Sequence, residues 1–165
     1  MSTLQAMSRN AYYAVISPPV AFAPTGVRAR VLRRTLRTRF DVREPGLGRV
    51  VLHTVLAATV GLVAWFVVFL AAIAAVRGIF YPLVTSGDYE NSWGGPTLAG
   101  AWAVHAALGV GLLPVWTALL AGIGCVQRLL AQRLLGRSGP WWPIPVALVL
   151  AAAGVVFFIA WTHQA

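Results

Sequence analysis

VVLHTVLAATVGLVAWFVVFLAAIAAV, residues 50–76, runs for 27 positions without an Asp, Glu, Lys or Arg. A bilayer core takes about 20 apolar residues per helix. Wound as a helix, this stretch would be about 40 Å long against a core of roughly 30 Å, so it should tilt or extend past the interface. Residues 97–126 and 141–161 are equally free of charge. The pattern predicts an all-α integral membrane protein, with three transmembrane helices preceded by an arginine-rich amphipathic helix.

The arginines orient those spans. The net charge of +9 comes from arginine alone, since the chain has no lysine. Twelve of the thirteen arginines lie before residue 50 or between the second and third stretches, and only Arg77 lies elsewhere. Positive residues beside hydrophobic segments stay in the cytoplasm. The expected topology therefore has a cytoplasmic N-terminus, an external loop at 77–96, a cytoplasmic loop at 127–140 and an external C-terminus. The same rule accounts for the basic charge without a nucleic-acid partner. The absence of lysine beside abundant Ala, Gly, Val and Arg suggests a GC-rich bacterial genome, and so a bacterial inner membrane.

Outside the spans, the longest segment is the first 49 residues, rich in Arg, Pro and Ser. It is too short and too polar to build an enzyme domain with its own core. No nucleophile elbow, phosphate loop, paired carboxylates or HExxH is present, so no enzymatic activity is expected. Residues 1–24 carry Pro18, Pro19 and Pro24 and read as a mobile cytoplasmic tail. Their apolar run at 11–23 hints at a signal peptide but is short, proline-broken and without a clean cleavage site. The arginine-rich, acid-free first 40 residues also have the composition of a transit peptide.

Residues 25–49 read as a basic juxtamembrane segment. Within VRARVLRRTLRTRF, residues 27–40, Leu32, Leu36 and Phe40 recur every four residues, with Arg30, Arg33, Arg34 and Arg37 on the adjoining face. Such a helix can lie on anionic lipid with its apolar stripe in the headgroups. Pro45, Gly46 and Gly48 then break it.

The second span should open at Gly95-Pro96-Thr97, bend at Pro114 and continue through RLLAQRLL to Gly136. Ala99, Ala103, Ala107 and Gly111 repeat every four residues along it, a spacing that lets helix backbones approach closely. Shorter repeats occur at Ala57/Gly61, Ala71/Ala75 and Ala147/Ala151.

Chemistry-bearing residues are few. His53 and His105 fall in opposite leaflets, and His163 lies at the frayed C-terminal end, so no pair suits a haem. No His/Cys cluster has zinc spacing, and no cofactor or metal is expected. Cys125 reads as a packing residue. His105 is an ionisable group inside a span, a costly placement that often marks function. The outer loop concentrates Tyr81, Asp88, Tyr89, Glu90, Asn91 and Trp93, and aromatic residues beside acids suit partner contact. An Arg77 pairing with one of those acids is the simpler structural use of the charge. Three helices enclose little, so the chain reads as an accessory or assembly subunit that contacts other membrane subunits or copies of itself. The rival readings are a homo-oligomeric transporter or channel subunit, and a proton- or redox-handling component built on His105.

Overall fold

The computed structural model describes residues 2–38, 40–42, 44–85, 87, 89–137 and 139–164. Among these residues seven helices follow one another: α1 (Thr3–Val20), α2 (Thr25–Leu36), α3 (Leu47–Ile79), α4 (Tyr81–Val84), α5 (Leu98–Gly111), α6 (Leu113–Leu134) and α7 (Pro143–Thr162). Among the described residues there is no strand, only an isolated bridge between Val42 and Gly136. Three helical stretches, Leu47–Ile79, Leu98–Leu134 and Pro143–Thr162, are long and apolar enough to cross a membrane. This is compatible with a multi-pass membrane protein. The chain divides into two compact units, residues 1–65 with 119–165, and residues 66–118.

In the first unit, the segment expected to be a mobile tail is the 18-residue helix α1. Ser2 caps it, accepting the Gln5 N–H at 3.3 Å. Pro18 and Pro19 lie inside it and cannot donate to the carbonyls one turn back, those of Ala14 and Val15. Both carbonyls find other donors. The Ser17 hydroxyl donates to the Ala14 oxygen at 2.9 Å, and the Trp65 indole of α3 donates to the Val15 oxygen at 2.7 Å. With those acceptors satisfied, the prolines do not break the helix, which is why the tail reading differs from the structure.

Helix α2 stops at Leu36 because Arg37 takes a left-handed conformation, φ 50°. It therefore ends short of Phe40, where the sequence pattern would have carried it. Its apolar stripe also faces elsewhere than expected. Leu32 is only 1% exposed, and with Ala29, Leu36 and Phe40 it packs against Tyr13 of α1 and against Ala131 and Leu135 at the end of α6. Each buried leucine stabilises this contact by about 1.5–3 kcal/mol. The stripe is covered by protein and is not free to dip into headgroups, whereas Arg30, Arg33, Arg34 and Arg37 remain exposed.

The first part of α3 turns His53, Ala57, Val60, Gly61 and Ala64 inward at helical spacing. A methyl group added at Gly61 would come 2.6 Å from the Pro18 ring. Gly124 of α6 lies so close to the Asn10 backbone that a methyl group would collide with its carbonyl oxygen. Helix α6 continues through residues 127–134, so most of the expected cytoplasmic loop is helical, and α7 buries Pro143 and Ala147.

The second unit holds the end of α3, α4, α5 and the start of α6. Thr97 caps α5 by accepting the Gly100 N–H at 3.1 Å, so Pro96 stands before the cap rather than in the first turn. Ala101 and Gly109 are the buried residues of α5. A methyl group at Gly109 would come 2.5 Å from the Ala74 oxygen, and one at Gly78 would come 2.5 Å from the His105 oxygen. The close helix approach thus runs along Ala101, His105 and Gly109. Ala99, Ala103, Ala107 and Gly111, expected to pack, are exposed. Glycine at 109 opposite glycine at 78 lets the backbones come closer than alanine would, and this decides between the two stripes. The helix is interrupted at Leu112, two residues before Pro114.

Candidate functional site

Among the described residues, the buried polar side chains gather where α1 and α2 meet α3 and α6. Arg28 sits at the head of the α2 stripe, four residues before Leu32, and is 7% exposed. Its Nε donates to the Ala23 carbonyl at 2.6 Å, and its Nη1 contacts His53 Nδ1 at 3.0 Å. A guanidinium can only donate, so Nδ1 accepts and the ring hydrogen sits on Nε2. That Nε2 is buried without a partner. Among the described residues no carboxylate pairs with Arg28, and burial pulls its pKa below the ordinary value, with the Tyr13 phenol opposing. Burial pushes the Tyr13 phenol well above its usual value, against the pull of Arg28.

A second polar contact joins three helices. Gln127 of α6 is 1% exposed, and its Nε2 donates to the Ser17 hydroxyl of α1 and, at 3.5 Å, to the Ala57 carbonyl of α3. The Gln127 Oε1 has no partner. These two contacts and the Trp65–Val15 bond hold α1 and α2 on the long helices by directional bonds. Parting a buried pair leaves groups unsatisfied, at about 1–3 kcal/mol each.

The sequence reading missed Arg28, His53, Ser17, Gln127 and Trp65 as a group. One signal was legible: positions 28, 32, 36 and 40 form a single four-residue series, so a cation heads the apolar stripe. His53 likewise heads the series with Ala57 and Gly61.

The residues that were expected to act lie mostly in the second unit. Tyr81 and His105 do meet, their rings stacked at 4.0 Å between centroids. His105 Nδ1 is 2.8 Å from the Ala101 carbonyl one turn back. Half-buried His105 thus has a stacked ring and a local carbonyl as its contacts. Tyr81 is 6% exposed and offers little to a partner, whereas Trp93 is 75% exposed and Glu90 and Asn91 are exposed beside half-buried Tyr89. Arg77 and Glu90 form no ion pair with each other, and Asp88, the other acid expected to pair with Arg77, lies outside the described residues. No group of three or more His, Cys, Asp or Glu side chains is gathered among the described residues.

The model of the family described as "Putative sensor" matches residues 4–135. The chain belongs to this Sensor family. The matched region runs from α1 to the end of α6, so it includes both polar contacts and stops before α7. No curated protein and no solved structure matches the chain.

Proposed function

We propose that this Sensor-family chain is a non-enzymatic accessory subunit of a larger bacterial inner-membrane complex. Its membrane helices take up a signal, and α1 with α2 passes it to a partner. The observation that carries this reading is the pair of buried polar contacts, Arg28–His53 and Ser17–Gln127–Ala57, that tie two helices outside the spans to two helices within them. A shift of α3 against α6 strains the Gln127 contact directly, since its partners are on α1 and α3.

The proposed topology has the N-terminus and the 127–140 segment in the cytoplasm. The Val42–Gly136 bridge and the packing of Phe40 on Leu135 support a shared side for the two arginine-rich segments. The exposed Arg30, Arg33, Arg34 and Arg37 then face anionic headgroups, a contact that is electrostatic because the leucine stripe is already used.

Gentle detergent extraction at native abundance, followed by identification of co-purifying proteins, tests the reading. The expected result is a membrane partner that stays with the native chain and is lost from an inserted Arg28→Gln, Gln127→Leu variant. A native chain that co-purifies only with itself would overturn the accessory role.

A further inference from the structure

Arg77 is the one arginine that the inside-positive arrangement leaves unexplained. On α3, Phe69, Ala72, Ile73, Val76 and Arg77 follow at three- and four-residue spacing and line one face, and Val84 of α4 lines the same groove. Together they bound an open groove of about 500 Å³, within the size range of small-molecule sites. Five of the six lining residues are apolar, and Ala72 leaves a recess between the larger side chains. Among the described residues that line the groove, Arg77 carries the only charge. The C-terminal end of α3 favours a cation but supplies no discrete anion, and no described acid pairs with the guanidinium. A lone guanidinium beside apolar surface is costly in a bilayer unless an anion meets it.

We propose that this groove binds one anionic phospholipid, with an acyl chain along Phe69, Ala72, Ile73, Val76 and Val84 and the phosphate on Arg77. The complementarity is of two kinds at once. The apolar recess suits a chain, and the planar guanidinium suits two phosphate oxygens. The site is on a helix long and apolar enough to be surrounded by lipid, so the ligand is at hand. The proposal stands whether or not the chain serves a sensing complex.

The test uses the full chain in phosphatidylglycerol/phosphatidylcholine vesicles with a trace of phosphatidylglycerol bearing a photoreactive acyl chain. Adducts mapped by mass spectrometry should concentrate on the groove residues. Labelling there should fall about fivefold in Arg77→Gln, persist in Arg77→Lys and disappear in Ala72→Phe. Excess inorganic phosphate should leave it unchanged, and photoreactive phosphatidylcholine should label the groove less. Arg77 is exposed, so the thermal stability of Arg77→Gln should match that of the native chain. Labelling spread evenly around α3, equal labelling of Arg77→Gln and the native chain, or equal use of the two lipids would overturn the proposal. So would protein–protein crosslinks from position 73 in place of lipid adducts, which would mean that a partner helix occupies the groove.

Discussion

A guanidinium held away from water needs its donors matched, and Arg28 is served by a carbonyl and an imidazole, with no carboxylate beside it among the described residues. The neighbouring Tyr13 phenol gives this region a pH dependence whose sign can be worked out. Its folded pKa is raised by burial above the unfolded value of about 10. The associated stability is whole below that unfolded value and is lost as pH rises beyond it. The thermal midpoint of the native chain should therefore decline above pH of about 10, and Tyr13→Phe should remove most of that slope. Melting curves across alkaline pH check this, and an unchanged slope in the variant would contradict it. Little of this was legible beforehand. Tyr13 lies in a segment whose prolines argued against order, and only the placement of Arg28 ahead of Leu32 hinted at a buried cation.

At the scale of elements, α2 buries the apolar stripe read from its sequence, whereas α5 is apolar on every face and buries a different small-residue stripe from the one expected. For α2 the apolar stripe was read correctly and its partner was not, because hydropathy cannot separate lipid from a neighbouring protein surface. Leu32→Ala should cost about 2–5 kcal/mol in stability, as a core truncation does. Replacing Arg30, Arg33, Arg34 and Arg37 with Gln should leave stability nearly unchanged but weaken binding to anionic vesicles by about 1 kcal/mol per arginine. Melting curves and vesicle sedimentation separate the two effects. For α5 the choice between stripes could not be read, since small residues occupy both; only the glycine at 78 on another helix selects Gly109. Ala107→Leu should leave thermal stability of the extracted chain unchanged, and Gly109→Leu should lower it markedly. The reverse order would restore the stripe first expected from spacing.

For the whole molecule, three long apolar helices were plain in the sequence because each carries an uninterrupted run without charge. Their sidedness is an inference from arginine placement, and reporters measure it. Fusions after Arg43 and near Ser138 should read cytoplasmic, and fusions near Gly87 and after Gln164 should read external. A cytoplasmic reading near Gly87 would overturn the topology. The family match ends at residue 135 and so leaves out α7, yet α7 buries Pro143 and Ala147. The family match therefore speaks for α1 to α6, and α7 is described by the structure alone.

The two prolines of α1 have a consequence for motion. By withdrawing two N–H groups they free two neighbouring carbonyls, and one of these, that of Val15, is taken by Trp65 across the helix contact. Carbonyls a turn away along α1 are already occupied by the helix's own ladder. Sliding α1 by one turn would take the indole off the freed Val15 carbonyl and carry Ser17 away from Gln127. Both bonds are made together only in the observed register, so the prolines help to mark one alignment of α1 on the long helices.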